Sequence, residues 1–220
     1  MTRSRVADRL RECLARIAAG MLVGATLGLA ACGTTPPTRF HSLLPAADAP
    51  SAATAVAPSD VRWEVLPVQL PAQVNQPQWL VRFGDDRLVV LEYDRWVAPL
   101  ADEIRAAVSQ RIVASLAARP PRGDAAVASG RPWRITIDVE RFESVLGRVA
   151  RIEAAWSIRS TDAGQKALSC RSVLEQPVGA GLPALAAGHR VVVARLGDSL
   201  AAALAALAGG TVTGCGGPGG

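Results

Sequence analysis

Apolar positions along this chain recur with two different periods, and the change of period marks out its elements. Val61, Trp63, Val65 and Val68, with Leu66 and Leu70 between them, read as a half-buried strand ending at Pro71. Two short apolar runs follow, Trp79-Leu80-Val81-Arg82-Phe83 and Leu88-Val89-Val90-Leu91-Glu92-Tyr93. Gly84-Asp85-Asp86 between them is turn chemistry, so the pair predicts a hairpin. The spacing then lengthens: Leu100, Ile104, Val108, Ile112 and Leu116 recur every fourth residue, with Ala107 on the same face. Pro99 suits the first helical turn, and Asp102 and Glu103 favour its positive end. Pro120-Pro121 and Gly123 end that helix. A second strand group comes next: Trp133 to Phe142, alternating through Ile135, Ile137 and Val139, then Arg148 to Ile158. After the Asp162-Ala163-Gly164 turn, Ala167 to Val178 makes the third. The last helix spans about Ala184 to Leu207, with Val193, Leu196, Leu200, Ala203, Leu204 and Leu207 on one face. Gly209-Gly210 stops it, and 209–220 is a glycine-rich tail.

Strands in two groups, separated and closed by helices, argue an α+β fold. The expected architecture is an antiparallel sheet of about six strands in two groups, with two amphipathic helices packed on one face.

The start of the chain obeys neither period. Arg3, Arg5, Arg9, Arg11 and Arg16 precede an apolar run from Ile17 to Ala30, followed by Ala31 and Cys32. Basic, apolar and small-residue regions in that order form a secretory signal, here residues 1–31. The run is about 14 residues, too short to cross a bilayer comfortably. Leu29-Ala30-Ala31-Cys32 resembles the bacterial lipobox, in which the cysteine is diacylated and becomes the acylated mature terminus. Several acyl chains, at about 0.8 kcal/mol per buried methylene, anchor stably where one is marginal. Gly33 stands where an aspartate would resemble an inner-membrane retention signal, which favours the outer membrane, facing the periplasm of a Gram-negative bacterium.

Residues 32–60 are rich in Pro, Ala, Ser and Thr and bury too little apolar surface to fold alone. They read as the lipidated N-terminus and a flexible tether. The island Phe40-His41-Ser42-Leu43-Leu44-Pro45 could add a short edge strand over 39–44. As one tether, 33–59 would span up to about 90 Å at roughly 3.3 Å per residue. The folded domain is expected over 61–208.

Charge narrows the choice of partners. Of 24 basic and 19 acidic residues, five and two lie before Cys32, so the mature chain carries about +2. That near-neutral balance lacks the footprint of a nucleic-acid binder. Cys13 leaves with the signal and Cys32 takes lipid, leaving Cys170 and Cys215 as a pair for a disulfide in an oxidising compartment. Two separate thiols are the alternative.

No catalytic set assembles from the sequence. The two histidines, His41 and His189, stand in the tether and near the start of the last helix, so no pair at metal spacing exists. Cys170 and Cys215 lack the second pair of a zinc site. His189, Asp198 and a serine could be drawn together as a triad, but no Gly-x-Ser-x-Gly elbow supports one. Asp85-Asp86 are better explained as turn residues, and no glycine-rich loop joins a strand to a helix to hold phosphate. Neither a cofactor nor a metal is expected, nor an enzyme. Five tryptophans (63, 79, 96, 133 and 156) fall on strand or helix-start positions suited to a core, although one or two exposed could serve a partner.

One stretch adds a family likeness. Leu70-Pro71, Gln76-Pro77-Gln78-Trp79-Leu80-Val81-Arg82, Gly84-Asp85-Asp86-Arg87-Leu88 and above all Asp94-Arg95-Trp96-Val97-Ala98-Pro99-Leu100 resemble the PqiC/YmbA-type lipoproteins, also called ABC-type transport auxiliary lipoproteins. The 40–45 island resembles that family's aromatic-leucine-leucine-proline segment. Within the motif, Arg95, Trp96, Pro99 and Leu100 have a structural reading: Trp96 staples the strand exit, Pro99 presets the helix, and Leu100 begins its core stripe. The resemblance implies an outer-membrane accessory lipoprotein of an intermembrane lipid-transport system, contributing to membrane integrity. Its implied partners are a mammalian-cell-entry-domain tunnel protein and an inner-membrane permease. A ring-shaped partner would also favour a homo-oligomer. A structural or envelope-assembly lipoprotein is the alternative reading, and a lipoprotein hydrolase a third.

Overall fold

The computed structural model describes residues 36–45, 61–84, 86–116, 132–161, 167–210 and 214–215. The signal segment, Cys32, Asp85, the 120–123 helix stop, the 162–164 turn and most of the tail lie outside them. In chain order the elements are β1 (Arg39–His41), β2 (Trp63–Val65), β3 (Gln78–Phe83), β4 (Arg87–Trp96), α1 (Leu100–Leu116), β5 (Trp133–Val145), β6 (Val149–Ser160), β7 (Leu168–Pro177) and α2 (Leu182–Ala208).

The sheet is mixed and mostly antiparallel, in the order β1-β4-β3-β5-β6-β7, with β2 also on β5. Its fold class is α+β. The two expected strand groups are present as the β3–β4 hairpin and the β5–β6–β7 meander. They meet at a single parallel pairing, Arg82 opposite Val145. Two short strands add parallel pairings that the sequence pattern does not reveal, β1 on β4 and β2 on β5. Both arrive from remote chain segments, so their direction is set by where the chain enters rather than by a tight turn.

The expected strand 61–70 is shorter than its apolar pattern. After Val65 the Leu66 N–H still donates to the Ile135 carbonyl at 2.9 Å, and the next contact with β5 is at Gln69, whose N–H donates to the Ile137 carbonyl and which is bridged to Asp138. The meander is regular, with Ile135 opposite Ile158 and Trp156 opposite Cys170. Its inward residues, among them Ile135, Ile137, Ile152, Ala154 and Ile158, are buried. They meet Leu185, Val192, Val193, Leu196, Leu200 and Leu204 of α2 in one core. At about 1.5–3 kcal/mol per large side chain, this layer is the main source of stability. Helix α2 runs along β6 and β7, and α1 packs beside it. By length and composition α2 could cross a membrane, but half of that stretch is buried in the fold, which makes it a core helix.

The opposite face of the meander is polar. Glu153, nearly buried, accepts from Arg141 at 3.1 Å, Arg151 at 2.7 Å and Arg171 at 2.6 Å. Arg171 also bonds Glu140, and Arg82 bonds Glu143. Beside this network a crevice of about 240 Å³ is lined by residues that include Leu80, Arg82, Leu88, Arg141 and Glu143.

Candidate functional site

Strand β4 is irregular where the family-like motif begins. Leu91 stands opposite Trp79, yet Arg95 stands opposite the preceding residue, Gln78. Residues 92–94 are therefore extra, a bulge that returns Trp96 to the same core face as Leu91 and turns Asp94 inward. Asp94 is 2% exposed. Its carboxylate accepts from Arg39 Nε at 2.9 Å and Nη2 at 2.6 Å, and lies 2.8 Å from His41 Nε2. Burial pushes the Asp94 carboxyl upward, but the hydrogen bonds and charges of Arg39 and His41 more than offset it and hold it below its ordinary value.

This carboxylate is one half of a clasp on the N-terminal segment. Strand β1 pairs in parallel with residues 94–96, and Val97 N–H donates to the His41 carbonyl at 2.9 Å. The other half is Glu103, in the first turn of α1 and buried. It accepts from Leu43 N–H and from Ser42 Oγ, both at 2.7 Å. Leu43 enters the core, and Arg190 of α2 donates to the Ser42 carbonyl at 3.2 Å. The island expected as an edge strand is thus built into the fold from both ends. That divides the expected tether: only 33–38 separate Cys32 from the ordered strand.

Beneath the clasp lies an aromatic centre. Trp96 tilts against Trp79 with ring centroids 4.8 Å apart and meets Phe142 edge-on. Phe142 stacks on His189 at 4.2 Å. Trp79 Nε1–H donates to Ser144 Oγ at 2.9 Å, and Ser144 Oγ is 2.7 Å from His189 Nε2. The Ser144 hydroxyl therefore has its own hydrogen to give to His189. His189 is fully buried, and desolvation lowers its pKa to about 3, so the ring is neutral.

The motif residues divide by role. Trp96 and Leu100 are buried core anchors. The Pro99 carbonyl accepts from Asp102 and Glu103 and so opens α1, one residue before the first helical position. Arg95 stands between Phe40 and Gln78 in the sheet, half-exposed. Cys170 and Cys215 are joined by a disulfide with Cα atoms 5.5 Å apart, tying the segment after α2 to the edge strand β7.

Among the described residues, His189, Asp198 and a serine do not come together as a triad. Asp198 accepts from Arg111 and Ser115 on the helix pair. His189 Nδ1 has no partner among the described residues, and Ser144 and His189 are both buried. No group of three or more metal-ligating side chains occurs among them either. Sequence reasoning placed Asp94 in the family-like motif and Glu103 at the helix start without their hold on the N-terminal segment, and it did not single out Ser144. His189 carried a readable signal, since it falls on the buried stripe of α2 between Leu185 and Val193.

A sequence model of one family, the ABC-type transport auxiliary lipoprotein component, matches residues 42–201, which include the motif, Glu103 and the aromatic centre. The chain belongs to this family. This auxiliary lipoprotein is similar in fold to an uncharacterized protein of known crystal structure, with a TM-score of 0.59, 13% identity, and coverage of 76% of this chain and 98% of that one. It is also similar to a DUF330-family protein from Xanthomonas campestris, with a TM-score of 0.53, 21% identity, and coverage of 70% and 92%. At these identities the likeness is one of fold. Among curated proteins none matches the auxiliary lipoprotein.

Proposed function

We propose that this auxiliary lipoprotein is anchored in the outer membrane through acylated Cys32 and faces the periplasm. There it serves an intermembrane lipid-transport system as the docking subunit for a mammalian-cell-entry-domain tunnel protein coupled to an inner-membrane permease, and so contributes to membrane integrity. The family match supports a transport role, and the lipobox supports the anchor. The observation that carries the reading is the clasp. Asp94 and Glu103 fasten the segment just after Cys32 to the folded body, which suits a subunit that must present its domain close to a membrane. It acts by binding: the polar groups at its centre hold one another and do not reach solvent.

Copurification tests this directly. Membranes solubilised in mild detergent should yield the tunnel protein together with the tagged, full-length auxiliary lipoprotein. Cys32→Ser should leave the chain unprocessed or soluble and should fail to restore membrane-stress resistance in a deletion strain. Recovery of the native protein in the membrane fraction with an unmodified Cys32 would refute the anchor. Intact membrane-stress resistance in the deletion strain would leave the structural, envelope-assembly role without support as well.

A further inference from the structure

The face of the sheet turned away from the helices is divided. Across β5–β7 it carries the ion-pair network around Glu153. Across β1–β4–β3 it presents exposed large apolar side chains interspersed with Arg82 and Arg95. Leu80 opposite Val90, and Arg82 opposite Leu88, face away from the buried Trp79 and Val81. Phe40 alternates with Arg39 and His41, whose side chains reach Asp94 on the core side, so it projects to the open side. Val97 likewise follows the buried Trp96. Among the described residues five large apolar side chains are exposed, and four lie here: Phe40 at 62%, Val97 at 58%, Leu88 at 48% and Val90 at 43%. A clustering of that kind marks a contact surface.

We propose that this apolar end of the open face rests on the glycerophospholipid surface that holds Cys32. The inference rests on the acylation of Cys32 in the reading above. Chain length then supplies the occupant. Residues 33–38 reach at most about 20 Å at roughly 3.3 Å each, and β1 is locked to the sheet by Asp94 and Glu103 from Arg39 onward. The strand nearest the membrane is therefore β1, whose Phe40 begins the apolar patch. Arg95, opposite Phe40 in the sheet, places a guanidinium group on the same face as Phe40, where lipid phosphates can pair with it. The domain tilts with its β1–β4 end down, and the β5–β7 network stays in water.

Single cysteines carrying an environment-sensitive fluorophore test this. In the mature lipoprotein Cys32 is acylated and Cys170–Cys215 is oxidised, so an introduced cysteine is the one free thiol. Phe40→Cys, Val97→Cys and Leu88→Cys replace exposed side chains and should fold. Arg159→Cys on β6 is the control, since β6 lies four strands from β1, about 19 Å across the sheet. The labelled, full-length mature lipoprotein is reconstituted in vesicles of phosphatidylethanolamine and phosphatidylglycerol. Labels at 40 and 97 should show blue-shifted emission and quenching by shallowly brominated lipid, that at 88 the same to a smaller degree, and that at 159 neither. Emission at 40 and 97 equal to that at 159, from protein that floats with the vesicles, would overturn the proposal while leaving the anchor intact. Protection that develops only when a partner protein is added would overturn it too. Protein that fails to float would refute acylation itself.

Discussion

The neutral, buried His189 makes the stability of this protein depend on pH over a window that lies above the one in which Asp94 acts. In the unfolded chain the imidazole takes up a proton below about 6.5, whereas in the fold burial withholds it until about 3. The unfolded state therefore binds more protons between those values, so stability is complete above 6.5 and falls as pH drops through the interval. Two pH units of that difference, at 1.36 kcal/mol each, amount to about 2.7 kcal/mol between pH 7.5 and 4.5. Asp94 acts in a separate window. Its folded pKa lies below the ordinary 3.8, so its contribution is present above about 4 and is lost only below that. With a urea slope of roughly 2 kcal/mol per molar, the His189 term moves the unfolding midpoint by about 1–1.5 M. The perturbation is His189→Gln, which removes titration and keeps a polar contact for Ser144. The assay is urea unfolding of the oxidised protein at pH 7.5 and 4.5. Wild type should lose the larger increment, and the variant should lose about 2–3 kcal/mol less, whatever its absolute stability. Only two histidines exist, so NMR gives a second reading: the His189 ring should keep its neutral shifts at pH 4.5. Equal pH dependence in the two proteins, or protonation of the folded His189 ring near pH 6, would refute the reasoning.

Three further outcomes follow from individual contacts. Asp94→Ala removes the acceptor of Arg39 and His41 and should cost about 2–3 kcal/mol, with trypsin cutting earlier at Arg39. Gly188→Ala, normally a gain of about 1 kcal/mol within a helix, should instead destabilise, because the new methyl would collide with Val178 and lie 3.0 Å from Ala150 Cβ. Thermal melts that show the variant as stable as wild type would remove the close approach of α2 to the sheet. Cys170→Ser opens a loop closed over 45 residues and should lower stability by about 4 kcal/mol in the chain-entropy model, measured under non-reducing conditions.

What the sequence determined by itself was local. Apolar residues every second or fourth position wrote the hairpin, the meander and both helices, because burying one face is a requirement each element meets alone. The expected start of α1 at Leu100 and the stop of α2 at Gly209 needed only Pro99 and a helix-ending glycine. The motif's Trp96 and Leu100 were legible as core for the same reason. Tertiary structure decided what depends on partners distant in the chain. Pairing of β1 with β4 joins residues 55 apart, and only that closure gives Asp94 its cations and Glu103 its N–H donor. Nothing within ten residues of Asp94 announces that it will be buried, since a carboxylate in a strand is ordinarily a solvated one. The bulge that turns it inward appears only as a slip between Trp79–Leu91 and Gln78–Arg95. The same holds for Ser144 and His189, each ordinary in its own segment, whose hydrogen bond exists because β5 and α2 enclose them away from water.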